Sequence, residues 1–287
     1  MYNICVDILI TCLTYNNRTG SEIYFFELSH ALRDAGHHVT IAPMRSGNGS
    51  IVTSTHDDVK IVTHAENIEI EYDLVIVSHA VMTHSIIKNI KCDKMINVIH
   101  SEVIPYFESL YIDSRVTHYV AIRPPIQQHI KQQYDIDSHV IYNPFDFNIY
   151  NENNCSKTDR TNEKVVLFPG TLNFLRIKPL LHLLKMSESQ HFKVIHVGDI
   201  DGVNVPTHEN LEHYAETDNM VPYYRQCDVV SGILLGRTSI EGLLSGKRVF
   251  QFDVDTHGNI VKNYWYKHDT PLDVFDRNNV AKQLLEL

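Results

Sequence analysis

Long apolar runs are missing from this sequence. No stretch approaches the ~18 apolar residues that a membrane-spanning helix requires, so no transmembrane segment is expected. Basic residues are scarce. The 287 residues hold 25 Lys and Arg against 35 Asp and Glu, a formal net charge of -10, which argues against a general nucleic-acid groove and leaves room only for a local basic patch. Cysteine is sparse and odd in number. Cys5, Cys12, Cys92, Cys155 and Cys227 are widely spread, several within apolar runs, and read as reduced thiols of a cytoplasmic protein rather than as a disulfide framework. Histidine is plentiful, at 18, yet no H-x-x-x-H or C-x-x-C pair has metal-ligand spacing, so no metal site is expected. There is no G-x-G-x-x-G, which makes a dinucleotide-binding reading poor. The first 13 residues are apolar but carry Asp7 and no basic residue, and read as a core strand rather than a signal peptide.

What remains is a globular composition, 43% hydrophobic and 21% charged, long enough for two domains. Strand and helix patterns alternate through the first half. Strands are expected at 4–13, 38–42, 59–62, 74–77, 95–99, 117–122 and 140–142, and helices at 22–35, closed by Gly36, and 126–134. Residues 151–163, NENNCSKTDRTNE, are polar and aperiodic and read as a linker. The alternation then restarts, with strands at 164–169, 193–197, 228–235 and 248–252, and helices at 178–186, 220–227, 238–244 and 278–287. The expected fold is α/β: two Rossmann-like domains, 1–150 and 164–287, each with a parallel sheet, facing a cleft. Ligands of such sheets sit beyond the carboxyl ends of the strands.

Chemistry is therefore sought where strands end. Gly236-Arg237-Thr238-Ser239-Ile240-Glu241 follows an apolar strand and opens a helix. A helix start offers free N–H groups and a positive dipole end to an anion, and a carboxylate in its first turn can accept from a ribose diol. An ordinary Thr/Ser cap is the competing reading. The loop Asn16 to Glu22, with Gly20 and Ser21, is a second candidate phosphate site. Ile99-His100-Ser101-Glu102 closes a strand with a His that can bond a sugar hydroxyl, while Glu102 has simple exposure as its plainer explanation. Gly170 and Thr171 begin a loop that carries Arg176 and Lys178, either of which can reach phosphate.

In this order and spacing, TGSEIYFFELSHALRDAGHHVTI, IYNPFD, LFPGTLNFLRIKPLLHLL and YYRQCDVVSGILLGRTSIEGLLSGKRVF resemble the glycine loop, hinge, G-R-L…KG segment and nucleotide-sugar signature of the retaining glycosyltransferases of family 4, which have the GT-B fold. The resemblance implies sugar transfer from a nucleotide-diphosphate sugar with retention at the anomeric carbon. It implies no cofactor and no essential metal. Glu241 matches the second Glu of the E-x7-E motif, which binds ribose. Arg237, Thr238 and Ser239 match the stretch whose amides hold the diphosphate, and Gly20 the glycine near it. His100 matches the His that contacts the transferred sugar. Lys178 matches the diphosphate lysine if one residue is inserted, with Arg176 as the alternative. The chain departs from the family at Ile233, where the first motif Glu belongs, at Thr171 in place of Arg, and at Asn143-Pro144 in place of Asn-Gly. The acceptor can be a glycan, a lipid-linked sugar, a protein or, as in small phage relatives, a modified DNA base. An epimerase and a non-catalytic nucleotide-sugar-binding relative are the competing functions.

Overall fold

Apolar residues run without alternation through Ile8-Leu9-Ile10 and Val75-Ile76-Val77, and each run is buried. Strands of that kind belong inside a parallel sheet covered on both faces. The computed structural model describes residues 5–16, 20–63, 67–102, 110–156, 163–269 and 271–287, and places them there. The chain divides into two units, 1–145 with 273–287, and 146–272.

The first unit holds β1 (Asp7–Tyr15), α1 (Gly20–Asp34), β2 (His38–Ser46), α2 (Ser50–Ser54), β3 (Val59–Ile61), β4 (Glu71–Ser78), α3 (Ala80–Ile87), β5 (Lys91–Ile99), β6 (Val116–Ala121), α4 (Pro124–Tyr134) and β7 (His139–Val140). Its seven strands are parallel in the order β3-β2-β1-β4-β5-β6-β7. The order reverses between β1 and β4, the place where such sheets bind ligands beyond their carboxyl ends.

The second unit holds α5 (Glu152–Cys155), β8 (Lys164–Pro169), α6 (Ile177–Gln190), β9 (Phe192–Val197), β10 (Leu211–Tyr214), α7 (Val221–Gln226), β11 (Val229–Ile233), α8 (Arg237–Leu244), β12 (Arg248–Val254) and β13 (Ile260–Tyr266). The sheet order is β10-β9-β8-β11-β12-β13, with the reversal between β8 and β11. It is parallel except for β13, which pairs antiparallel with β12, so the all-parallel expectation is corrected at this edge. β10 and β13 escape a reading based on apolar runs because they are largely exposed.

The last helix, α9 (Arg277–Glu286), belongs to the first unit and not to 164–287 as expected. Val280, Ala281 and Leu284 enter the core with Phe25, Leu28 and Leu32. Arg277 donates to the buried Glu27 carboxylate at 3.1 Å. The backbone of Phe145 pairs with Phe275 and Arg277. The first unit runs to Phe145, whereas the boundary was expected at 150. Within the expected linker, Cys155 is buried against Tyr224 and Cys227, so its first part is packed structure; residues 157–162 lie outside the described residues.

Helix α8 lies hard against β11. A Cβ on Gly242 would sit 2.7 Å from Val230 Cβ. Gly242→Ala is expected to destabilise the second unit, because overpacking costs ~1–3 kcal/mol and alanine returns at most ~1 kcal/mol of helix propensity. A lower urea midpoint with unchanged slope is the expected reading.

Candidate functional site

In the second unit, the two stretches proposed from sequence to touch the donor flank the reversal of strand order. β8 ends at Pro169 and leads into Gly170, Thr171 and Arg176; β11 ends at Ile233 and leads into α8. Leu234 and Leu235 both adopt left-handed backbone, φ 53° and 47°, a region leucine rarely occupies. The chain turns sharply there, and the strand stops two residues earlier than expected. Helix α8 begins at Arg237 after Gly236, so Glu241 stands in the second turn rather than the first.

That displacement changes what surrounds Glu241. Its side chain is 6% exposed and accepts from Tyr224 Oη at 2.7 Å and from Arg237 Nε at 2.9 Å. Tyr224 is fully buried, and burial, reinforced by the Glu241 charge, keeps its hydroxyl protonated as a donor. Each carboxylate oxygen retains a second lone-pair direction for a further donor. Ser239 Oγ donates to Gln251 Oε1 at 2.7 Å, and its amide bonds Gly236 O at 3.0 Å, so Ser239 anchors the helix rather than presenting a group outward. A Cβ on Gly232 would lie 2.2 Å from that hydroxyl. Thr238 Oγ1 is buried with no hydrogen-bond partner among the described residues, at the positive end of α8.

Across the reversal, Gly170 has φ 107°, and a Cβ there would meet the Arg176 guanidinium at 3.0 to 3.2 Å. Arg176 Nη1 donates to Pro169 O at 2.8 Å, and its guanidinium lies 5.8 Å from the Phe168 ring centre. Burial pushes Arg176 down to about 10, so it stays charged at neutral pH. Thr171 is partly buried. Lys178 is exposed, and its Nζ donates to Asn259 Oδ1 and to His257 O, on the turn between β12 and β13. The two cations proposed as alternatives thus have different settings: Arg176 under the loop, Lys178 on its outside.

His196, which the sequence reading missed, underlies this loop. It is fully buried, with Nε2 3.0 Å from Gly170 O and Nδ1 2.8 Å from His213 Nδ1. Burial pushes its pKa down to about 4. The unfolded chain takes up this proton near pH 6.5 while the folded chain does not, so stability is full above that pH and falls as pH drops from about 6.5 toward 4. The expected loss approaches ~3 kcal/mol, and His196→Asn should flatten that part of the pH profile in urea titrations.

In the first unit, three strand ends adjoin the reversal. Gly20 and Ser21 are the first residues of α1, and no described residue lies within 4 Å of where a Cβ on Gly20 would stand. The buried Glu22 accepts from Asn16 N at 2.8 Å and draws the loop ends together; residues 17–19 of that loop lie outside the described residues. His100 follows β5. Its ring stands edge-on to Tyr24 at 4.8 Å and lies parallel to His79 at 6.0 Å. His79, in left-handed backbone after β4, follows an apolar strand just as His100 does, and that signal could have found it. The Tyr24 hydroxyl is buried without a hydrogen-bond partner among the described residues. Glu102 is not simply exposed: its Oε2 accepts from Arg123 Nη2 at 2.6 Å in a largely buried ion pair. No group of His, Cys, Asp and Glu with metal-binding geometry occurs among the described residues.

No family model and no curated protein matches the sequence. Solved structures do match. HepE from Anabaena, in complex with UDP-glucose, aligns over 98% of this chain and 89% of its own, with TM-score 0.64 and 16% identity. AviGT4, a glycosyltransferase involved in avilamycin A biosynthesis, aligns over 98% and 96%, with TM-score 0.62 and 12% identity. The fold is GT-B. A third GT-B structure, an α-glucosyltransferase in complex with UDP and a 13-mer DNA containing an HMU base, aligns over 98% and 90%, with TM-score 0.61 and 12% identity. No helix among the described residues is long and apolar enough to cross a membrane.

Proposed function

We propose that the chain is a glycosyltransferase that moves a sugar from a nucleotide-diphosphate sugar to an acceptor with retention of anomeric configuration. The observation that carries the reading lies within the second unit: the Gly170–Arg176 loop and the start of α8 flank one strand-order reversal, where α/β sheets bind their ligands. Support comes from the Thr238 hydroxyl at the α8 N-terminus, unpartnered among the described residues, from the charged Arg176 and from the GT-B fold. HepE and the α-glucosyltransferase, which share that fold, are bound to UDP-glucose and UDP respectively.

In this reading the α8 N-terminus, Thr238 and Arg176 neutralise the leaving diphosphate, so the reaction needs no metal. Glu241 accepts from the ribose hydroxyls while Tyr224 and Arg237 fix its orientation. The acceptor attacks from the side the diphosphate leaves, and a phosphate oxygen takes the acceptor proton as the new glycosidic bond forms. For the first unit, the family resemblance assigns sugar contact to His100 and phosphate contact to Gly20 and Ser21. The net charge of -10 favours a glycan, a lipid-linked sugar or a protein over DNA as acceptor. The five free cysteines suit a cytoplasmic reaction. A second reading, nucleotide-sugar binding without turnover, is favoured by the apolar, buried Ile233 where the family has its first motif Glu.

The test is thermal stabilisation and slow hydrolysis across a panel of nucleotide sugars, for wild type and Thr238→Val. One donor should raise the melting temperature and be hydrolysed, and Thr238→Val should weaken it ~10-fold, the worth of one hydrogen bond to a charged group. Stabilisation with no hydrolysis and no transfer to any acceptor class establishes the second reading. No response to any nucleotide sugar overturns both.

A further inference from the structure

Beneath α6 the second sheet has a cavity at the end opposite the Gly170 loop. It lies at the amino ends of the parallel strands, where β8, β11 and β12 begin at Lys164, Val229 and Arg248. The strand register fixes its floor. Val166 pairs with Val229, Val229 with Arg248, and Phe250 with Trp265. Residues paired across strands, or two apart along one, share a face. Lys164, Val166, Val229, Arg248, Phe250 and Trp265 therefore stand on one side of the sheet. Leu183 and Met186 of α6 cover that side and leave a volume of about 240 Å³. The walls are apolar and the mouth is cationic. Phe250 stands edge-on to Trp265 with ring centres 5.2 Å apart, and the Arg248 guanidinium lies over the Trp265 ring at 4.0 Å. Stacking on a ring leaves the N–H edge of a guanidinium available to a carboxylate. Neither that guanidinium nor Lys164 Nζ has a hydrogen bond or ion pair among the described residues. The carboxylate in the lining, Asp228, is turned to the strand backbone and accepts from Val165 N at 2.9 Å.

We propose that this cavity binds a small aromatic carboxylate, with its rings between Trp265 and Met186 and its carboxylate against Arg248 and Lys164. The volume suits two fused rings, because an apolar cavity of ~150 Å³ takes up one benzene. Phe250, Trp265 and the Met186 thioether favour a flat ring over a branched chain. The Gly170 loop and α8 leave the other ends of the same strands, so this site is separate from the one proposed for the nucleotide sugar.

The probe is 2-naphthoate in a calorimetric titration, with 2-naphthylmethanol as its neutral counterpart. The chain has one tryptophan, and it forms a wall of the cavity, so its emission should change along the same isotherm. The carboxylate should bind at least ~10-fold more tightly than the alcohol, the worth of one hydrogen bond between charged groups. Arg248→Gln should remove most of that preference. Val229→Phe fills the cavity and should abolish binding of both compounds, with a melting temperature at or above that of wild type showing that it folds. Arg248 is exposed, so its replacement leaves the core intact and decides the matter should Val229→Phe not fold. No binding of 2-naphthoate overturns the proposal. Equal affinity for the alcohol does so too, and so does binding that either folded variant leaves unchanged.

Discussion

Glu241→Ala is expected to cost the second unit ~3–5 kcal/mol of stability, the range for removing one partner of a buried ion pair, and to abolish donor binding with it. The stability loss dominates because the substitution removes the acceptor of two donors together: Arg237 Nε, on a side chain 8% exposed, and the hydroxyl of the fully buried Tyr224. Glu241→Gln keeps the volume and an acceptor for Tyr224 while losing the charge, and should fall between wild type and Glu241→Ala. Tyr224→Phe removes one hydrogen bond and leaves the ion pair, at ~1–1.5 kcal/mol. Urea titration of the three variants, with calorimetric donor binding on those still folded, separates the effects. An unchanged urea midpoint in Glu241→Ala would sink the structural role and leave a residue that serves the ligand only.

Arg176→Met is the second large effect, expected to lower turnover ~10²–10³-fold, the cost of losing one charge-stabilising donor in a preorganised site. The guanidinium is held by Pro169 O beneath Gly170 and retains its charge. Lys178, exposed and tied to Asn259 and His257 on the hairpin, should cost far less as Lys178→Met. Steady-state rates with the donor that the nucleotide-sugar panel identifies decide between them. A larger loss from Lys178→Met reverses the assignment that the resemblance left open. Gly198→Ala would disturb the same loop without touching a ligand, since its Cβ would fall 2.5 Å from Gly170 O.

The parts of this protein that can be read from its sequence are those where local pattern and tertiary burial agree. β8 lies at 164–169 as expected, because an apolar run there ends at a glycine that the turn requires. Helix α8 was one residue from its expected start, an error made by the left-handed Leu234-Leu235 pair, which no propensity anticipates. The candidate site residues were legible as segments but not as partners. That Glu241 meets Tyr224, that Ser239 is tied to Gln251 and that His196 supports Gly170 depend on strands and helices brought together by the fold. The reassignment of α9 has the same cause: its apolar positions give a helix, but nothing in them says which core receives it.

That helix also sets an order of events during synthesis. The core of the first unit includes Val280, Ala281 and Leu284, so it stays incomplete until those residues have left the ribosome. The second unit, continuous from 146 to 272, can close its sheet while those residues are still being made. The half encoded second is thus the half that can finish first, and a stop codon shortly before Asp276 would leave the nascent chain with a folded insert inside an unfinished host.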